Sequence, residues 1–238
     1  MGKMEENLAD EQIQVLPRAF EFLAQGKQKE SLALLHGALS KRSGSKRILY
    51  HIGFVYRTMN DLDNAEKYYL KAIAAIDTLP NDGIYCQLGI LYQLKEDYGK
   101  AVRAFEMAIE ANRGYANAYS GLGITYRKMG DYEKALQTYE RGREALIRAA
   151  IKKASGGKGR MSDTEESGAM KDGCCRNEEV RKALESSLDY SLLCSNEGRA
   201  YVELGRIEEA KRSFRESIEF IPVGVDYRDP YIALEELG

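Results

Sequence analysis

Few residues in this chain are of types that could do covalent or metal chemistry, and their spacing argues against such chemistry. Cys174 and Cys175 are adjacent, so they cannot both ligate one zinc comfortably, and His36 and His51 are the only imidazoles that could complete a site. The pair reads as exposed thiols on a loop, and no metal or other cofactor is expected. The stretch "SGGKGRMS", residues 155–162, resembles a phosphate loop but departs from G-x-x-x-x-G-K-[ST], because Lys158 is followed by Gly159 and a helical pattern precedes it. Ser162 and Thr164, beside Asp163, Glu165 and Glu166, resemble acidophilic phosphorylation sites, a short pattern common in polar loops. Nucleophilic catalysis needs an activating base next to its nucleophile; neither His lies in such a motif, and no Gly-x-Ser-x-Gly occurs. A non-enzymatic protein that works by recognition is expected.

Composition limits what could be recognised. The 238 residues carry a net charge of −2, so no global field favours nucleic acid or an anionic membrane surface. No apolar run approaches the roughly 18 residues of a membrane-spanning helix, so no membrane insertion is expected. Cys86, Cys174, Cys175 and Cys194 have no framework spacing, which fits a reducing compartment. The start, "MGKMEENLADEQIQVLPRAF", lacks the basic segment and apolar run of a signal peptide. A cytoplasmic location follows as an expectation.

The elements that would present a surface are written in a repeat. Ile52-Gly53-x-x-Tyr56 is followed by Ala65-x3-Tyr69 and Ala72; Leu88-Gly89-x-x-Tyr92 by Ala101-x3-Phe105 and Ala108. Leu122-Gly123-x-x-Tyr126 is followed by Ala135-x3-Tyr139 and Gly142; Glu197-Gly198-x-x-Tyr201 by Ala210-x3-Phe214 and Ser217, closed by Pro222. A Gly inside a helix costs about 1 kcal/mol against Ala, so each is expected where another backbone approaches closely, with the later Ala supplying the facing small surface and the first-helix Tyr filling the space one turn on. The turns "MND", "KED", "MGD" and "LGR" separate the two helices of each unit.

These residues resemble the tetratricopeptide repeat, whose pattern W-x2-L-G-x2-Y…A-x3-F…P recurs every 34 residues. The match departs from that pattern at the Trp position, occupied by Leu49, Tyr85, Tyr119 and Cys194, and in having the closing Pro in only one unit. The resemblance implies an all-α superhelix of helical hairpins. It has a degenerate repeat at 12–45 and repeats at 46–81, 82–115 and 116–154. Residues 155–177, glycine-rich and without apolar period, read as a long disordered insertion between repeats three and four. Residues 178–238 then supply an extended helix, the last repeat and a C-terminal cap. Leu146, Ala150 and Ile151 are expected to pack against Val180, Ala183 and Leu184, and Tyr231, Leu234 and Leu237 to cover the last unit.

The resemblance also implies where partners bind. The concave face of such arrays is lined by first helices, and its positions map onto Arg47, Tyr50, Phe54, Arg57, Gln87, Ile90, Asn117, Ile124 and Arg127, with Cys86, Gln93, Ser120, Phe20 and Leu23 in the same rows. An apolar strip flanked by arginines suits a protein or peptide partner that carries acidic residues. The clamp for a chaperone Glu-Glu-Val-Asp tail needs paired cations where Tyr50, Phe54, Gln87, Asn117 and Gly121 stand, so that ligand is disfavoured. The expected function is therefore a protein-interaction module, an adaptor or co-chaperone-like protein. A self-assembling, homo-oligomeric scaffold and the regulatory subunit of an enzyme complex are the alternatives.

Overall fold

A computed structural model describes residues 15–41, 44–154 and 178–238, and among them every regular element is an α-helix. The expected insertion at 155–177 lies outside the described residues, as do Cys174 and Cys175. The chain forms two compact units, Met1–Asp97 and Tyr98–Gly238.

The first unit contains α1 (residues 15–24), α2 (Gln28–Lys41), α3 (Lys46–Thr58), α4 (Leu62–Ala74) and α5 (Asp82–Leu94). Its core gathers Ala19, Leu35, Ile48, Ile52 and Val55, the apolar stripes of three successive helices. Ser31, fully buried, donates its hydroxyl to the Ala19 carbonyl at 3.0 Å and ties α2 to α1. Between α3 and α4 the chain reverses through Asn60 at φ 61°, and the Asp61 carboxylate accepts from Asn64 N at 3.2 Å to cap α4.

The second unit contains α6 (Tyr98–Ala111), α7 (Ala116–Lys128), α8 (Tyr132–Ala154), α9 (Glu178–Glu185), α10 (Leu188–Glu203), α11 (Ile207–Glu219) and α12 (Asp229–Glu236). The reversals before α8 and α11 repeat the one before α4: Gly130 and Gly205 take positive φ, and the next residue, Asp131 or Arg206, donates its N–H to a Tyr carbonyl five residues back at 2.9 Å. Asp61 does the same to Tyr56. The same turn recurs at Gly26 and Glu96, where Lys27 N and Asp97 N donate to the Phe22 and Tyr92 carbonyls at 2.8 and 2.9 Å. The positive φ is taken by glycine where the sequence has one, by Asn at position 60 and by Glu at position 96.

The crossing of each hairpin is tighter than the repeat pattern suggests, and its filling group differs. A Cβ on Gly53 would lie 2.8 Å from the ring of Tyr69 and 3.2 Å from the Ala65 carbonyl oxygen; one on Gly198 would lie 2.7 Å from the Phe214 ring. Gly123 meets Tyr139 in the same way. The close approach is therefore mainly that of an aromatic edge from the second helix. Tyr69, Tyr139 and Phe214 are fully buried, whereas Tyr56, Tyr126 and Tyr201 are only half-buried.

Two elements exceed the hairpin pattern. α8 runs 23 residues against 13 for α4 and α11, and its added turns bury Ile147, Ala150 and Ile151 against Val180 and Leu184 of α9, with Leu146 and Ala183 at the margin. α10 begins at the Ser187 cap and carries buried Tyr190 and Cys194 into the same cluster. Where α10 crosses α11, Ser191 and Ser217 each donate to the other's backbone carbonyl at 2.8 Å. At the end of the chain, α12 forms as expected, but Tyr231 is 48% exposed and Pro230 is the residue it buries. Of the three residues expected to cover the last unit, Tyr231 is exposed, and Leu234 and Leu237 are half-buried.

Candidate interaction surface

In the first unit, the expected groove residues of α3 belong to an aromatic cluster. Phe20 of α1 meets His51 edge-on with ring centroids 5.0 Å apart and Phe54 at 6.4 Å. Tyr50 contacts His51 at 5.0 Å and reaches Tyr69 at 5.9 Å. Tyr50, His51 and Phe54 lie along one stripe of α3, where positions 47, 50, 51, 54 and 57 fall together at helical spacing. The Arg57 guanidinium stands 5.1 Å from the Phe54 centroid, a cation–π distance, and beside the buried Tyr69 hydroxyl. Burial pushes the Tyr69 phenol up while Arg57 pulls it down, so the ring stays neutral.

Beside this stripe lies a pocket of about 250 Å³, walled by Lys46, Arg47, Tyr50 and His51 on one side and by Leu79, Pro80 and Ile84 on the other. Lys46, itself buried, donates its ammonium to the carbonyls of Asp77 and Leu79 at 3.1 and 2.7 Å, which fixes the α4–α5 connection as that second wall. Burial, and secondarily the positive charge of Arg47, lowers the His51 pKa to about 4, so the imidazole is neutral at physiological pH. Burial raises the Tyr50 phenol as well. Five side-chain polar atoms of this unit, His51 Nδ1, Arg57 Nε, Tyr69 Oη, Asn81 Oδ1 and Gln87 Oε1, are buried and find no hydrogen-bond partner among the described residues.

The other expected positions fall out as follows. Arg47 is exposed; Tyr50, Phe54, Arg57, Gln87, Ile90 and Gln93 are half-buried. Cys86, which shares their row in the repeat pattern, is only 2% exposed and belongs to the core: α5 buries Ile84, Leu88 and Leu91 on one side and Cys86 with Gly89 on the other. Leu23 packs on the core of α1–α3, and Phe20 is exposed.

In the second unit, Asn117 is exposed and Ile124 and Arg127 are half-buried on α7. Part of this face is already engaged: Asn196 of α10 donates to the Ser120 hydroxyl at 2.9 Å, and Arg127 faces Glu203 at 4.0 Å. Arg127 also stands beside the Tyr139 hydroxyl, as Arg57 does beside Tyr69. The residue that motif reading passed over is His51. Its adjacency to Tyr50 on a stripe of rings is the signal that it belongs to the surface. Among the described residues no three His, Cys, Asp or Glu groups are placed to hold a metal, and no helix is long and apolar enough to cross a membrane.

Known proteins match this architecture. Three tetratricopeptide repeat models cover residues 46–114, 116–144 and 193–223. No curated protein matches the chain in sequence. Among solved structures, TTC0263, a thermophilic tetratricopeptide protein of Thermus thermophilus, is 18% identical with a TM-score of 0.58 over 95% of this chain and 98% of its own. MamA is 20% identical with a TM-score of 0.55 over 85% and 93%. YrrB, described as having an unusual peptide-binding site, is 17% identical with a TM-score of 0.53 over 93% and 90%. At these identities the likeness is one of fold. From the hairpin crossings, the shared turn geometry and the three matched segments together, this chain belongs to the tetratricopeptide repeat family.

Proposed function

We propose that the protein is a non-catalytic interaction module and that the α3 stripe of its first unit holds a peptide from a partner protein. The observation that carries this reading is the juxtaposition of exposed or half-buried Phe20, Tyr50 and Phe54 with the guanidiniums of Arg47 and Arg57 beside a 250 Å³ pocket. Aromatic and Arg side chains dominate binding energy at protein interfaces. A bound segment that places an apolar side chain in the pocket and a carboxylate near Arg47 or Arg57 would use both. Gln87 and Ile90 continue the site on α5, and Asn117, Ile124 and Arg127 are its counterparts on α7. The reading places the protein in the cytoplasm as an adaptor.

Selection from a displayed random-peptide library tests this. Peptides retained by the wild type are expected to combine an aromatic or aliphatic residue with Asp or Glu, and to be lost by the Phe54→Ala/Arg57→Glu double variant. Peptides retained equally by that variant would remove the site from α3.

A second reading, self-association, draws on the end of the chain. Val225, Tyr231 and Ile232 are exposed around a hollow of about 520 Å³. Sedimentation across a concentration series distinguishes a concentration-dependent dimer from a monomer.

A further inference from the structure

The added turns of α8 have two sides, and the hairpin pattern accounts for only one. Ile147, Ala150 and Ile151 are covered by α9 and α10. The opposite side, Arg141, Glu144, Ala145, Arg148, Ala149 and Lys152, repeats at offsets of three and four residues and lines a cleft of about 760 Å³. The far wall is the end of α6 and the turn before α7, through Glu110 and Arg113. This wall is held in place: Asn112 accepts from Gly114 N at 3.0 Å, and the Tyr119 hydroxyl donates to the Arg113 carbonyl at 3.1 Å. Tyr119 also marks where the charge converges. Burial raises its phenol, and Arg141, Arg113 and Arg148 all pull it the other way.

Arg113, Arg141, Arg148 and Lys152 face two carboxylates, Glu110 and Glu144, and the latter is ion-paired with Arg148 at 3.2 Å. The floor, Ala145 and Ala149, is small enough to let a backbone approach. From Arg141 to Lys152 the helix rises about 16 Å, the span of roughly five residues of extended chain. A nucleic acid would lay its phosphate backbone along the walls, where Glu110 and Glu144 repel it. An acidic peptide offers carboxylates to the cations and backbone N–H donors to those two glutamates. We propose that this cleft is a second recognition site, built from residues other than those of the α3 stripe, and that it takes an acidic stretch of a partner protein lying extended along α8.

The site is noncatalytic and electrostatic, so its binding weakens with salt. Fluorescein-labelled hexaglutamate provides the probe, with binding read by anisotropy at low and high salt for the full chain. The wild type is expected to bind at low salt, and Arg141→Gln/Arg148→Gln to lose at least about tenfold in affinity. Arg113→Gln should lose less, Phe54→Ala/Arg57→Glu reports any share of the probe held by the α3 stripe, and Arg215→Gln, exposed on α11, should bind as the wild type does. Unchanged far-ultraviolet circular dichroism identifies the variants that remain folded. Three results would overturn the proposal: no binding of hexaglutamate by the wild type, equal binding by the folded Arg141/Arg148 and Arg113 variants, or tighter binding of a duplex DNA oligonucleotide. Loss only in the Phe54/Arg57 variant would also overturn it, while leaving the α3 site standing.

Discussion

Arg143 of α8 donates to Glu197 of α10 at 2.6 Å, joining side chains that are 20% and 8% exposed and 54 residues apart in the chain. The same guanidinium donates to Glu216 of α11 at 2.9 Å, and the Tyr190 hydroxyl donates to Glu216 at 2.6 Å. One cation therefore holds three helices. Burial raises the Glu197 carboxyl, and Arg143 opposes that rise and keeps its charge tolerable. Removing one partner of such a pair leaves the other buried and uncompensated, at a cost of about 3–5 kcal/mol. Arg143→Met is expected to destabilise by about that much in urea unfolding. Arg143→Met/Glu197→Gln should recover part of the loss, and a double variant no better than the single one would show that the pair is not coupled.

His51 sets a pH dependence. Its folded-state pKa of about 4 lies below the ordinary 6.5, so the unfolded chain binds the proton more readily. The stabilisation from keeping His51 neutral is present above pH 6.5 and is lost as pH falls through 4. The full effect is about 3 kcal/mol at most. Thermal unfolding of the wild type between pH 7 and 4 should fall more steeply than that of His51→Gln. Parallel curves would show that the imidazole is not shielded.

Two glycines separate packing from propensity. Gly53→Ala places a methyl 2.8 Å from a fully buried ring, so Tyr69 must shift and about 1–3 kcal/mol of stability is lost despite the better helix former. Gly37, exposed on α2, has nothing within 4 Å of the same position, and Gly37→Ala should gain about 1 kcal/mol. Denaturant midpoints of the two variants should move in opposite directions.

Glu96 takes φ 58° in the turn where Gly130 and Gly205 serve later hairpins. The left-handed region costs a side-chain-bearing residue about 1–2 kcal/mol, and glycine's extra freedom in the unfolded chain takes back about 0.4–1. Glu96→Gly should therefore stabilise by up to about 1.6 kcal/mol, read as a higher unfolding midpoint. A lower midpoint would mean that the Glu96 side chain makes a contact worth more than its backbone strain.

The hairpins were legible in the sequence because the residues that set a helix crossing, Gly53, Ala65 and Tyr69, recur at fixed offsets and act within one unit. The packing of Ala150 and Ile151 on Val180 and Leu184 was legible for the same reason: apolar residues four apart declare a buried face. Arg143, Glu197 and Glu216 were not, since an ion pair across separate helices depends on side-chain reach and leaves no period. Cys86 was placed on the groove by its position in the repeat, but α5 is buried on two sides, and Cys86 with Gly89 lies on the second, opposite the Ile84, Leu88 and Leu91 stripe. The basic cleft was hidden because it needs two things no motif carries: the surplus length of α8 and the bend that points Arg113 toward it.

The Arg143 linkage has a consequence for how the protein could be shortened. Repeat arrays generally contact only their neighbours and can lose a terminal unit with a proportionate loss of stability. Here the third hairpin leans on the last one: Gly142 packs against Leu193, and Ile147, Ile151 and the charge of Arg143 all find their cover in residues beyond 178. Cutting the chain before α9 would leave α8 with a stripped apolar flank and a half-sunken charge. The final hairpin is a foundation for the one before it, and the second unit stands or falls as a single piece.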